Sequence, residues 1–273
     1  ALQQGTSPSI IGPNAATEAR LLAAYGKLPM YFEANQGQTN PQVKFLARGQ
    51  GYTIFLTDTK AILVLRRPDR KPSAVNQQLS AGHQQSPRLN PTVLQMELVG
   101  ANSKHQAVGL EKLPGTVHYL RGNNPTMWRT DIPTYVKVHN QSVYPGIDLV
   151  YYGNQSQLEY DFLVAPGADP NAITLRFEGA KHLNVGAQGE LVLCTAGGPI
   201  RFQKPLLFQE VEGVKRAISG GYAIKGPHQV GFQVGAYDAG RPLVIDPVVV
   251  YSTLLGGSGD ELGLAIAVDT KGH

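Results

Sequence analysis

Residues 158 to 164, LEYDFLV, set Leu158, Tyr160, Phe162 and Val164 at every second position, with Glu159 and Asp161 between them. The same two-residue period returns in Ile173, Leu175 and Phe177 against Thr174, Arg176 and Glu178. It returns again in Val230, Phe232, Val234 and Ala236 against Gly231, Gln233 and Gly235. Successive side chains of a strand point to opposite faces. A segment that alternates in this way has one face in a core and one in water, the signature of antiparallel sheets. VKFLARG, YTIFLT, AILVLRR and TVLQMELVG add segments rich in β-branched and aromatic residues, with TDTK as a turn between the second and third. The pattern predicts an all-β protein, built as an antiparallel β-sandwich or as open-barrel sheets, with one short N-terminal helix laid on a face. That helix is NAATEARLLAAYGKLP, capped by Asn14 and ended by Gly26 and Pro29.

Composition agrees with many short strands joined by turns. The 273 residues hold 31 Gly and 19 Pro, and only 16% are charged, against a norm of about 25%. Residues 68–91 carry no hydrophobic period and many Gln, Ser and Pro, and read as a mobile loop. The net charge of +4 is spread thinly. Its densest run, Arg66, Arg67, Arg70 and Lys71, lacks the interleaved aromatics of a nucleic-acid stripe, so no nucleic-acid partner is expected. No apolar run approaches the roughly 20 residues of a membrane helix. The first residues, ALQQGTSPS, read as a mature end left by cleavage.

The residues that carry chemistry are few. Gly257, Gly259 and Gly263 do not make a dinucleotide fingerprint, and Ser258 lacks the spacing of a nucleophile elbow. Asp260 and Glu261 are not set in a full calcium loop. The seven histidines and single Cys194 show no metal-ligand spacing, and Cys194 reads as a small strand hydrophobe. No catalytic residue, metal or cofactor is assigned on these grounds. Glu159 and Asp161 share a strand face with Cα atoms near 6–7 Å apart by strand rise, a spacing open to two readings. They are a carboxylate pair of a retaining glycosidase, or they are surface charges paired across strands with Arg176. Trp128, Tyr135, Tyr144, Tyr151 and Tyr152, among several asparagines, are either a polysaccharide platform or core aromatics with one polar tip. Asn140 and Asn154 head glycosylation sequons that read as chance matches.

The ending YSTLLGGSGDELGLAIAVDTKG, residues 251–272, resembles the repeat of bacterial seven-bladed β-propeller repeat (SBBP) proteins. PMYFEANQGQ, VKFLARGQGYTIFLT, the run from Trp128 to Pro170, LRFEGA and RPLVIDPVVVYSTLLGG are similar to the domain that precedes such repeats. The resemblance implies a secreted or cell-surface bacterial protein and brings no catalytic residues with it. The implied organisation is an N-terminal segment (1–28), two β subdomains (29–125 and 126–247) and the start of a repeat (248–273). A lone blade cannot close a propeller, which needs about 4–8 of them. Residues 251–273 are therefore expected to pack on the preceding domain, to pair with a neighbouring chain, or to be disordered. Three functions follow as expectations. The first is a non-catalytic module that supports a repeat array in adhesion or surface assembly. The second is a carbohydrate-binding module or glycoside hydrolase acting on cell-surface polysaccharide. The third is a structural subunit that assembles by strand exchange.

Overall fold

A computed structural model describes residues 30–49, 52–65, 91–154 and 157–250. The expected helix, the basic run, nearly all of the 68–91 loop and the repeat-like ending lie outside the described residues.

The regular structure of the described chain is strand, apart from two short 3-10 turns. In order the strands are β1 (Phe32–Ala34), β2 (Phe45–Gly49), β3 (Tyr52–Leu56), β4 (Lys60–Leu65), β5 (Thr92–Leu98), β6 (Ala107–Tyr119) and β7 (Arg129–Tyr144). Next come β8 (Ile147–Asn154), β9 (Gln157–Val164), β10 (Leu175–Glu178), β11 (Ala180–Val185), β12 (Leu191–Thr195) and β13 (Gly198–Phe202). The last are β14 (Leu206–Val211), β15 (Val214–Ile218), β16 (Gly220–Gly226), β17 (Gln229–Val234), β18 (Leu243–Asp246) and β19 (Val248–Val250).

All of the pairings are antiparallel. β1 to β5 form a meander, and β5 hands the sheet on to β10, β17 and β16. In the other direction β1 pairs with β7. Tyr135 of β7 pairs with both Phe32 and Lys112, so β1 and β6 occupy opposite edges of β7. β8 lies beside β7 on the edge that β1 uses, and β9 follows. At β9 the sheet forks. Its first residues pair with β19, which leads to β13, β12 and β11; its last residues pair with β18, which leads to β14 and β15. β16 comes back against β11 and β14, so the curled sheet nearly closes into a barrel-like shape.

Local chemistry fixes many of these turns. Thr57 and Lys60 close the β3–β4 hairpin where TDTK placed it: the Thr57 N–H donates to the Lys60 carbonyl at 2.9 Å, and the Lys60 N–H donates to Thr57 Oγ1 at 3.0 Å. β14 and β15 are joined by Glu212 and Gly213 alone, at φ 54° and 77°. Two central residues with positive φ give the turn whose twist matches the strands it connects. Asp169 caps the short 3-10 turn Pro170–Ala172 between β9 and β10.

The alternation seen in the sequence is obeyed in the first two segments; in the third it ends with β17, where Gly231 is buried and Ala236, beyond the strand, is exposed. Leu158, Tyr160, Phe162 and Val164 are buried, and so are Ile173, Leu175 and Phe177. One continuous hydrophobic cluster holds Phe32, Ile54 and Met96 together with Tyr160, Phe202 and Phe232. The two segments divided at residue 125 thus share a core. The division falls at the tip of a ribbon, where β6 and β7 turn back and pair with each other. Gly109 in β6 lies under the Tyr135 ring, and a Cβ there would stand 2.4 Å from it. The ribbon therefore needs glycine at that point.

Candidate functional site

β9 presents Glu159 and Asp161 on the face turned away from the core, half-buried. The register of β9 against its two partners sets what stands opposite them. Ile245 pairs with Phe162 and Val248 with Glu159. Both pairs belong to one alignment, interrupted only at Pro247, and this puts Asp246 across from Asp161. On the other side of β9, Tyr152 of β8 pairs with Glu159, and its hydroxyl donates to Asp161 Oδ1 at 3.0 Å. Asp246 Oδ1 is buried without a hydrogen-bond partner. Beyond β18, Leu206 of β14 lies next to Asp246. Lys215 of β15 lays its ammonium over the Phe208 ring, 4.2 Å from the centroid.

Three carboxyls and one ammonium, carried by β9, β18 and β15, thus meet on one face of the sheet. Burial, followed by the charge of Asp246, pushes the Asp161 carboxyl up to about 6, against the opposing pull of the Tyr152 bond and of Lys215. Burial also raises Glu159, with Asp246 adding to it. Asp246 is raised by burial, while Lys215 and a bond to Asp161 act the other way. Tyr152 is held well above its ordinary value, by burial first and then by Asp161. Two carboxylates directly opposite repel, and the simplest relief is a proton held between them. The cluster therefore favours a retained proton.

Arg176 plays no part in this. It lies on β10, across from Glu97, and bonds the Glu97 carboxylate at 2.6 and 3.1 Å. The cross-strand pairing expected of Arg176 with Glu159 and Asp161 is thereby corrected, because β10 runs beside β5 and not beside β9. A small apolar cavity is lined by Leu158, Tyr160, Phe202 and Val249 among others, on the opposite face of β9 from the carboxyls. Its volume, about 20 Å³, is no larger than a single water needs and falls far short of a sugar ring. The Glu159–Asp161 pair does not look into it.

The five aromatic candidates are not brought together as a platform. Tyr144 and Tyr151 are each 4% exposed and belong to the core. The Tyr144 hydroxyl, raised to about 12 by burial, donates toward the Val99 and Thr174 carbonyls at 3.1 and 3.2 Å. Tyr135 packs edge-on against Phe45 with centroids 5.9 Å apart. Tyr152 belongs to the carboxyl cluster. Trp128 alone sits at the ribbon tip, half-buried, with its indole N–H donating to the Gly122 carbonyl at 3.1 Å. Asn140 is buried beside His105 Nε2 at 3.1 Å, so its sequon offers no acceptor for a glycan. Among the described residues no group of three or more His, Cys, Asp or Glu is disposed to hold a metal ion.

A second charged cluster had no signal in the sequence. Glu33 of β1 is 1% exposed. It is bonded by the Arg48 guanidinium and by the Tyr119 hydroxyl, the latter at 2.5 Å. Arg48 and Arg121 both lie over the Tyr119 ring, at 5.3 and 5.4 Å. Burial, then Glu33, raises Tyr119 to about 12. This cluster pins the end of β6 to β1 and β2.

Residues 32–248 match the family model described as a domain of unknown function, DUF7948. This chain belongs to the DUF7948 family. No curated protein and no solved structure matches it. The matched span of the DUF7948 domain runs from β1 to the first residue of β19, so both charged clusters lie inside it.

Proposed function

We propose that this DUF7948 domain is a non-catalytic β module of a secreted or cell-surface protein, which anchors and orients the repeat-like segment after Val250 in adhesion or surface assembly. One observation carries the reading. The strand leading into that segment is held on both edges, with Val249 pairing with Leu158 of β9 and with Phe202 of β13. Val249 is 2% exposed. The chain leaves from within the sheet and not from a loop, as a rigid support for further β structure requires. The likeness of residues 251–272 to a propeller repeat agrees with this. A second reading, assembly by strand exchange, draws on β6, which among the described residues pairs with β7 alone and has an outer edge, Ala107 to Tyr119, that no other described strand occupies. An open edge of that kind accepts another strand.

The test is hydrogen exchange on the 273-residue protein extended by further copies of the repeat. The amides of β19 and of the first repeat are expected to open together. Exchange of the repeat independently of β19 would refute the supporting role. A glycan array separates the carbohydrate reading: binding lost on Trp128→Ala would replace this proposal with a sugar-binding one.

A further inference from the structure

We propose that Asp161 and Asp246 form a proton-held latch at the fork of the sheet: with one proton between them β18 stays closed on β9, and loss of that proton loosens the β18–β14–β15 wing. The geometry that supports this does not depend on any acidity. The two residues stand opposite each other in a single antiparallel alignment that continues on both sides of Pro247. One Asp246 oxygen is buried and unbonded. The position is the one where β9 passes from one partner strand to the other, so the ladder has no regular pair of backbone bonds there to oppose repulsion. Tyr160 N–H reaches the Pro247 carbonyl at a long 3.4 Å.

The groups around the pair are few. Glu159 on β9 adds a third negative charge. Tyr152 on β8 donates to Asp161. Among the described residues Lys215 on β15 is the cation that acts on the pair, and it is shared with the Phe208 ring. From β14 the neighbours Leu206 and Phe208 are uncharged, and Glu210 stands across from Lys215. On β16 the Tyr222 hydroxyl is buried, lacks a hydrogen-bond partner, and feels the charge of Asp246. On β19 the neighbour is Val248. With all three carboxyls ionised, one ammonium faces three negative charges in a half-buried place.

The sign of the pH dependence follows. The folded chain holds a proton that the unfolded chain has given up, because Asp161 titrates at about 6 when folded and at its ordinary 3.8 when not. Stability from the latch is complete below about 4, falls as pH rises to about 6, and stays low above that. Two pH units correspond to about 100-fold in the folded-to-unfolded ratio.

The experiment compares the wild-type chain with Asp246→Asn by urea unfolding between pH 4 and 8. An asparagine keeps the shape of the protonated acid and donates to Asp161 without ionising. The two proteins are expected to match within threefold at pH 4 and to diverge as pH rises. By pH 8 the variant is favoured by more than threefold and by no more than about tenfold, because burial, the largest cause of the Asp161 shift, remains in it. At pH 8 the amides of β18 and β14 are expected to exchange faster in the wild type than in the variant, while those of β3 and β4 are unchanged. Parallel unfolding curves would overturn the latch. Should the variant not fold, carboxyl ¹³C resonances of the wild-type chain decide. A titration of Asp161 near 6, with an inflection shared by Asp246, supports it; separate midpoints below 4.5 for both overturn it.

Discussion

Breaking the pair between Glu33 and Arg48 should be among the costliest changes on the outside of this barrel-like sheet. Glu33 is 1% exposed, and its two donors are the Arg48 guanidinium and the Tyr119 hydroxyl. Removing one partner of a buried pair leaves an uncompensated charge and costs about 3–5 kcal/mol. Arg48 is itself 40% exposed, so water reaches the gap and the expected cost of Arg48→Ala drops to about 2–3 kcal/mol. Tyr119→Phe removes a hydrogen bond to a charged group, for about 1.5–3 kcal/mol. Glu33→Gln takes away the charge that needed both partners. In the Glu33→Gln background, therefore, Arg48→Ala should cost less than half of what it costs alone. Urea unfolding of the four proteins of the cycle, followed by the fluorescence of the single tryptophan, Trp128, measures the coupling. A coupling below about 0.5 kcal/mol, the level of exposed ion pairs, would refute the view that this cluster pins β6 to β1 and β2.

Three further changes test other parts of the account. Gly109→Val drives a side chain into the Tyr135 ring and should destabilise by about 1–3 kcal/mol, with Tyr135→Ala relieving part of the loss in the double variant; thermal melts of the three proteins check it. Gln209 is 4% exposed, and its amide donates to the Asp238, Arg241 and Pro242 carbonyls. Gln209→Ala should cost about 1–3 kcal/mol and speed exchange in residues 238–242 before the rest of the sheet. Tyr152→Phe removes a bond that lowers Asp161, so the Asp161 carboxyl should titrate above its present value of about 6, as read by ¹³C NMR.

The two-residue period was enough to assign faces. Leu158 to Val164, Ile173 to Phe177 and Val230 to Phe232 are buried as their spacing requires, because burial of a strand face is a local property. Partners are not local. Arg176 alternates in the sequence as a neighbour of Asp161 would, yet lies against Glu97, which is separated from it by β6 to β9. Asp246 appears in RPLVIDPVVV as a lone acid before a proline, and only the shared alignment of β18 and β19 on β9 places it opposite Asp161. Tyr144 and Tyr151 fall among asparagines and turns, and the sequence leaves a sugar platform and a core role both open to them. The strands they occupy turn both rings inward. The Glu33 cluster joins β1, β2 and the far end of β6, three segments with no common pattern in sequence.

The fork at β9 has a consequence for how the chain is made. β9 has one neighbour, β8, available as soon as it is synthesised, but its other edge is filled by β18 and β19, the last strands described. Contacts between segments so distant in sequence are slow to form, because a long loop must close before they repay its entropy. Until Val250 has emerged, the ribosome holds a sheet with its middle strand bare on one side. A nascent chain in that condition exposes an unpaired strand edge for as long as its last strands are missing.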